Sequence, residues 1–253
     1  GPQNKQALLI SLPNLPSIAE VSQPELRLAG LRINPKMRAA SRVNFSDGLS
    51  LLDLSSGKMR KVQGLPAKVK IADTVWSEDE DWVAFSVWGK NGVELWLLDV
   101  EAAKARRLIY EPLNATMGAG FSWLNGSEEL LVRLLPRQQR AMPFNLTVPD
   151  GPVTQESRGG KLSQNRTFQD LLKTPRDADM LDWQLQTQLA VVNVNGSVRR
   201  FGPTMVLNRA QASPDGNWVL VQQLRRPYSY QVPLERFAQS VEVWNLQGKK
   251  LKT

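Results

Sequence analysis

A short pattern that occurs twice constrains the fold of this chain more than any other feature. The runs W-S-E-D-E-D-W-V-A-F-S-V-W at Trp76–Trp88 and A-S-P-D-G-N-W-V-L-V-Q-Q-L at Ala212–Leu224 each place a small acidic turn before a tryptophan. A run with an apolar period of two follows, which is typical of half-buried β-strands. A weaker copy lies at Phe121–Leu134. Recurrence of one strand unit predicts a repeat architecture.

Second units of strand, polar turn and strand accompany these runs. They lie at Val93–Leu108, Val241–Leu251, Leu49–Leu65 and Leu189–Phe201. The dipeptides Ser56-Gly57 and Asn195-Gly196 predict hairpin turns, because Gly and Asn accept positive φ. Two units together make one four-stranded blade of a β-propeller. Trp76 and Trp123 are 47 residues apart, close to the spacing of roughly 40–50 residues expected between blades.

We therefore predict an all-β fold, a partial β-propeller of about three and a half four-stranded blades with two long insertions. The predicted blades are blade one at 6–65, blade two at 71–110, blade three at 120–201 and a truncated blade four at 205–253. The insertions are 13–46 in blade one and 136–188 in blade three. Closed propellers have about four to eight blades. The chain is thus expected to be a fragment whose open edges favour self-association.

Two helical turns are predicted inside the insertions, and the remainder is predicted as loop. Ser17 is a candidate N-cap for a short helix within Ser17–Leu31, because Glu20 follows three residues later. Thr167–Lys173 has a similar pattern. The first two residues, Gly1-Pro2, are typical of a remnant left by protease cleavage and are excluded from the fold prediction.

The absence of two residue types excludes several kinds of chemistry. The sequence has no His and no Cys. A Ser-His-Asp triad needs an imidazole, as does a His-ligated metal site, and disulfides and thiolate metal sites need Cys. We therefore predict no catalytic residue, no metal site and no cofactor.

The charge and hydropathy of the chain indicate neither a nucleic acid nor a membrane. The net charge is +8, but the basic residues are scattered and no apolar run approaches the length of a membrane span. Neither a nucleic acid nor a membrane is expected as a partner.

Four segments resemble the glutamyl endopeptidases of plastids and bacteria, which belong to the prolyl oligopeptidase family. They are L-P-S-I-A-E-V-S-Q-P-E-L-R-L-A-G-L-R-I at Leu15–Ile33, R-T-F-Q-D-L-L-K at Arg166–Lys173, R-R-P-Y-S-Y-Q-V-P-L-E-R-F at Arg225–Phe237 and V-E-V-W at Val241–Trp244. The resemblance implies a propeller that admits and helps bind peptides, beside a C-terminal α/β-hydrolase domain with the catalytic Ser, Asp and His. The chain contains no G-x-S-x-G nucleophile elbow. The catalytic Ser, Asp and His of the family therefore have no matching positions in this sequence.

The segment Arg225-Arg226-Pro227-Tyr228-Ser229 is the first candidate for a substrate-binding loop. It follows a predicted strand of blade four, where a short turn would suffice. Arginine binds carboxylates through a planar fork, as a peptidase that prefers Glu would require. The alternative is that Arg226 pairs with an internal acid and that Tyr228 packs the loop. Loops on a rigid scaffold commonly hold binding residues, and the sequence leaves both interpretations open.

Other candidates have structural interpretations that the sequence favours. Arg166 could face a cavity between domains, but Phe168, Leu171 and Leu172 beside it indicate packing. Arg27 and Arg32 lie in the apolar segment Pro24–Arg32, which could line a cleft or, as a helix or loop, pack on the hydrolase domain. The tryptophans of the repeats are predicted to be core residues; they are Trp76, Trp82, Trp88, Trp96, Trp123, Trp218 and Trp244. The acidic run Glu78–Asp81 is predicted to form a turn and not a calcium site.

The sequence is compatible with three functions. The leading hypothesis is a non-catalytic propeller segment that gates and helps bind peptides for the hydrolase domain of a serine endopeptidase, with cleavage after Glu. The second is a freestanding propeller-type module that binds proteins, which the tryptophan-rich repeats fit equally well. The third, a nucleic-acid binder, rests on net charge alone. The sequence does not indicate a cellular compartment.

Overall fold

Antiparallel strands form most of the chain. The computed structural model describes residues 1–13, 16, 18–143 and 168–252. In chain order the strands are β1 (Gln6–Ser11), β2 (Leu26–Leu28), β3 (Leu31–Asn34), β4 (Ala39–Ala40), β5 (Gly48–Asp53), β6 (Met59–Lys61), β7 (Ile71–Trp76), β8 (Trp82–Trp88), β9 (Val93–Asp99), β10 (Lys104–Arg107), β11 (Phe121–Trp123), β12 (Glu129–Leu134), β13 (Gln186–Asn193), β14 (Val198–Ala212), β15 (Trp218–Leu224), β16 (Gln239–Asn245) and β17 (Lys250–Lys252). The helices are α1 (Ile18–Val21) and α2 (Pro175–Leu185), with a 3₁₀ turn at Leu234–Arg236.

The strands build the predicted partial propeller, whose sheets do not close into a ring. Blade one is the sheet β1-β5-β6, and blade two is the four-stranded sheet β7-β8-β9-β10. In blade two β8 and β9 pair without interruption from Trp82↔Asp99 to Trp88↔Val93. The acidic run before β8 forms the predicted turn. Its Glu80 is buried and accepts a hydrogen bond from the Gln6 backbone amide at 3.1 Å.

Blades three and four form one continuous sheet of seven strands, β11 to β17. The sequence placed a boundary between residues 201 and 205, but β14 runs through it. Its first part pairs with β13 as far as Val206, and its second part pairs with β15 from Leu207. The long strand is thus the outermost strand of blade three and the innermost strand of blade four. The hairpin turns predicted at Gly57 and Gly196 are confirmed, with φ of 68° and 94°.

The insertions contain more regular structure than the sequence indicated. The short helix predicted near Ser17 is present as α1, although Ser17 itself lies outside the described residues. The segment predicted as helix or loop at 24–32 forms instead the hairpin β2–β3, extended by β4. The helix predicted at Thr167–Lys173 was wrong: its described part, 168–173, is not helical, and the helix α2 begins two residues later.

Apolar side chains between neighbouring sheets form the core. One cluster joins blades two and three around Leu97, Leu130 and Val132, and another fills blades one and two around Phe85. Trp96 and Trp244 are buried, whereas Trp76, Trp82, Trp88 and Trp123 are half-buried and pack against these clusters or their neighbours. The prediction that Trp218 is a core residue was wrong, since 41% of it is exposed. It is the first residue of β15.

The strand order places the irregular segments at one end of the blades. Successive strands are antiparallel, so the connection that enters the last strand but one lies at the same end in every blade, counting outward to β6, β10, β14 and β17. These connections are 12–47 in blade one, 135–185 in blade three and 225–238 in blade four. In blade two the connection is only 89–92. Within the described residues, no helix has the length and apolar character needed to cross a bilayer.

Candidate functional site

Segments from three blades meet in an apolar group that we call the insertion cluster. It contains Leu28, Ala29, Leu172, Ala178, Met180, Leu181, Leu185, Leu224, Tyr228, Leu234 and Phe237. The hairpin β2–β3 is attached through its turn: the Gly30 amide donates to the Asp170 carbonyl at 3.0 Å, and the Ala29 carbonyl accepts from the Leu234 amide at 2.9 Å. The cluster therefore joins chain segments about 200 residues apart.

Helix α2 lies in the middle of this cluster because its first turn is well defined. Thr174 is the N-cap, and its hydroxyl accepts from the Asp177 amide at 3.2 Å. The Asp177 carboxylate in turn accepts from the Thr174 amide at 2.8 Å, which completes a capping box. Pro175 occupies the first helical position, where its missing amide costs nothing. One face of the helix buries Met180, Leu181 and Leu185.

Two carboxylates on the outer face of α2 hold Arg226. The guanidinium donates through Nε to Asp182 at 2.7 Å and through Nη2 to Asp179 at 2.7 Å. Burial lowers the pKa of Arg226, but the two carboxylates outweigh this and raise it above its usual value. Asp179 remains more than half exposed. Arg226 therefore pairs with internal acids, as the structural interpretation of the sequence required.

Tyr228 is buried beside this ion pair. Its hydroxyl donates to the second carboxylate oxygen of Asp182, and its ring stacks on Phe237 with centroids 5.0 Å apart. Burial and the Asp182 charge both raise the pKa of Tyr228 well above its usual range, so the phenol stays protonated. Arg226 and Tyr228 thus act together on one carboxylate of α2.

Arg225 points away from Arg226 although the two are adjacent in sequence. Its Nε donates to the Ser240 hydroxyl at 3.0 Å, and Nη2 pairs with Glu242 at 3.3 Å. Glu242 is buried, and it also accepts from Lys250 at 3.0 Å. Burial raises the pKa of Glu242, but its hydrogen bonds to Trp244 and Lys250 and the nearby positive charges lower it overall. Arg225 therefore belongs to the sheet of blade four and not to the insertion cluster.

The remaining sequence candidates are placed as follows. Arg166 lies outside the described residues. Arg32 pairs with Asp170 at 3.1 Å, and Arg27 pairs with Glu25 at 3.1 Å while 57% of its side chain is exposed. The structure brings Arg226 and Tyr228 together and separates Arg225 from both. The substrate-binding role of these residues stays a prediction.

Sequence reasoning missed the acidic partners on α2 and one buried arginine. A signal for α2 was present, because Thr174, Pro175 and Asp177 form a helix-start pattern before an apolar face. Arg38 had no such signal. Its guanidinium lies 3.5 Å from the centre of the Trp183 ring and donates to the Trp183 carbonyl at 2.5 Å. Burial lowers its pKa to about 9. This contact ties the first insertion to α2.

The sequence was compared with known proteins. No family model matches it. A protein of Oryza sativa subsp. japonica named "Probable glutamyl endopeptidase, chloroplastic" is 35% identical over 265 residues, which cover 100% of this chain and 28% of the relative. Its namesake in Arabidopsis thaliana is 35% identical over 261 residues, covering 98% of this chain and 27% of the relative. The chain thus spans little more than a quarter of the length of these relatives.

Solved structures show a weaker likeness. An acylaminoacyl peptidase of Pyrococcus horikoshii has a TM-score of 0.47 at 16% identity, with 83% of this chain and 30% of that chain covered. The β-propeller domain of the Trilobed protease from Pyrococcus furiosus has a TM-score of 0.46 at 12% identity, with 83% and 49% covered. Similarity at this level does not discriminate among functions. The sequence identity extends from end to end of the chain, which is therefore a propeller segment similar along its whole length to these two glutamyl endopeptidases.

Proposed function

We propose that the chain is the part of a serine endopeptidase that gates and helps bind peptide substrates for an α/β-hydrolase domain, with cleavage after Glu. The observation that carries this proposal is the 35% identity to glutamyl endopeptidases along the entire chain. The sequence contains no His, so a Ser-His-Asp triad would have to be completed by another part of the protein.

The arrangement of the irregular segments supports a role at an opening. The long connections of blades one, three and four lie at the same end of the blades, and α2 and the hairpin β2–β3 are fixed there by the insertion cluster. Segments that project from rigid sheets are suited to contact a substrate or a neighbouring domain. In this proposal the end that carries the insertion cluster faces the hydrolase domain, and peptides reach the active site past it.

The proposal predicts different activities for the 253-residue chain and for the longer protein that contains it. The chain alone is expected to leave Glu-containing peptides intact, whereas the longer protein cleaves after Glu and exceeds its own activity on matched Gln peptides at least tenfold. A gating role also predicts cleavage of short peptides in preference to folded proteins with exposed Glu. The measurement is kcat/KM for each substrate, with covalent labelling by a fluorophosphonate as the control for a serine nucleophile.

Two results would count against the proposal. Cleavage by the isolated chain, after contaminating proteases have been excluded, would remove the non-catalytic role. A longer protein without a fluorophosphonate-reactive serine would favour the freestanding protein-binding module.

A further inference from the structure

A polar cavity of about 480 Å³ lies between blades three and four and borders the insertion cluster, because Met117 lines the cavity and also packs against that cluster. Strands β11 and β12 form one side, and β14 and β15 form the other. Its polar lining consists of Ser122, Arg133, Asn208, Arg209 and Gln222, and four apolar residues complete it. Among the described residues that line the cavity, two are cationic and none carries a carboxylate. A basic cleft of this kind is suited to an anionic group.

Arg133 is the more buried of the two arginines. It lies on β12, and its Nη1 donates to the Met117 carbonyl at 2.8 Å. Within the described part of the chain, Nε and Nη2 have no hydrogen-bond partner. Gly118 lies beside the guanidinium, and a Cβ on that glycine would be only 3.6 Å from Nη2. Burial lowers the pKa of Arg133 to about 10 although the Asp73 charge opposes this shift. The side chain therefore keeps its charge at neutral pH and has donors left for a ligand.

Arg209 approaches from the other side of the cavity. It lies on β14, opposite Gln222 of β15, at a position where the register of the two strands shifts. Its Nη2 donates to the Gln211 side chain at 2.7 Å. No ion pair involves Arg209 in the parts of the chain that the structure describes. Asp73, the carboxylate that acts on Arg133, itself accepts from the Ser86 hydroxyl at 2.9 Å.

Four other arginines differ from Arg133 and Arg209 because carboxylates of the chain already occupy them. Arg226 contacts two carboxylates, and Arg225, Arg200 and Arg107 each contact one. A ligand carboxylate at any of these would have to displace an internal partner. We propose that Arg133 and Arg209 form a subsite for the carboxylate of an acidic peptide in the cavity between blades three and four. A carboxylate there would receive charge-assisted hydrogen bonds from both guanidinium groups.

This inference rests on the proposed function for its biological meaning, because a peptidase that cleaves after Glu handles acidic peptides. The apolar part of the lining favours a peptide over a nucleic acid, since the half-buried Met117 and Ala210 can pack against aliphatic side-chain carbons. Phosphate groups would gain nothing from that contact.

Binding of capped tetraglutamate to the 253-residue chain tests the subsite, with capped tetraglutamine as the neutral probe. The measurement is isothermal titration at physiological ionic strength, where charges more than about 8 Å apart are largely screened. We expect tetraglutamate to bind at least tenfold more tightly than tetraglutamine. Arg209→Gln is expected to weaken tetraglutamate binding about fivefold and Arg133→Gln about tenfold or more, because a hydrogen bond to a charged group is lost in each.

Arg199→Gln is the matched control. Arg199 lies on the same strand as Arg209, is also exposed and, among the described residues, donates to the Leu246 carbonyl alone, so its loss changes the net charge equally outside the cavity. It is expected to change affinity less than twofold. Equal weakening by Arg199→Gln and Arg209→Gln would overturn the subsite, as would absence of tetraglutamate binding by the unmodified chain. Preferential binding of a mixed oligonucleotide that depends on Arg209 would also overturn it.

Circular dichroism of each variant excludes unfolding, and Arg209→Gln decides the question if Arg133→Gln does not fold. The readout involves no cleavage. A failed subsite thus leaves the peptidase proposal standing, and a failed peptidase proposal leaves the binding result valid.

Discussion

Blade two and the insertion cluster are both well packed, but different forces order them. In blade two, β8 and β9 pair through seven consecutive residues, and Phe85 is fully buried between the sheets. In the insertion cluster, hairpin, helix and loop do not share a sheet. They meet through apolar side chains, single backbone hydrogen bonds and the ion pairs of Arg226. The comparison shows that the strand repeat specifies the propeller sheets. The candidate site depends instead on contacts between segments that lie outside the repeat.

The largest expected effect is a loss of stability in the propeller sheets. Phe85→Ala removes a ring that is 0% exposed and lies 6.2 Å from the Trp96 ring, so we expect a loss of about 3–5 kcal/mol in the free energy of unfolding. Phe237→Ala in the insertion cluster is the matched variant. We expect it to reduce hydrogen-exchange protection mainly in α2 and residues 225–238, because the cluster opens as a local unit. Urea unfolding and hydrogen exchange measure the two effects. A global loss of equal size in both variants would contradict the distinction.

An intermediate effect is expected at the start of α2. Thr174→Ala removes the hydroxyl that accepts from the Asp177 amide at 3.2 Å, and N-cap losses cost about 1 kcal/mol. Amide exchange in residues 175–185 should accelerate about fivefold, while blade two is unaffected. Thr174→Ser keeps a capping hydroxyl and serves as the control. Should the Ser and Ala variants behave alike, the capping box would not contribute to the order of this segment.

The smallest effect on stability is expected for Arg226. Its side chain is 44% exposed, and exposed ion pairs contribute roughly 0–1 kcal/mol, so Arg226→Ala should lower stability by less than about 1 kcal/mol. The substrate-binding prediction for Arg226 is judged separately in the longer protein, by the ratio of kcat/KM for Glu over Gln peptides. A ratio that falls at least tenfold supports contact with substrate. An unchanged ratio would contradict contact with substrate and would assign Arg226 only the structural role of holding α2.

The propeller sheets were predictable because the sequence patterns of their strands and turns are local. The tryptophan-led runs and the glycine turns define hairpins within about 15 residues, and period-two patterns identify their buried faces. Trp218 was the exception, because equivalent positions in two repeats differ in exposure when a neighbouring sheet covers only one of them. An all-β propeller could thus be inferred from sequence alone.

The candidate site was predictable only in part. Arg226 and Tyr228 were identified as a pair, but their partner Asp182 lies 44 residues away from Arg226 and 46 from Tyr228, beyond any local pattern. The hairpin β2–β3 was missed because its turn is Ala29-Gly30, with φ of 51° and 86°, and Ala rarely adopts positive φ. For Arg133 the sequence shows only a polar residue in a strand. Its role depends on the width of the gap to blade four.

The continuous strand β14 has a mechanical consequence. Blades three and four share one unbroken backbone from Val198 to Ala212, so a movement of one blade against the other has to bend this strand where its pairing changes from β13 to β15, at Val206 and Leu207. Blades two and three are connected instead by residues 108–120, which contribute Leu108, Ile109 and Leu113 to the apolar cluster between those two blades. The width of the cavity with Arg133 and Arg209 therefore depends on the bend of a single strand.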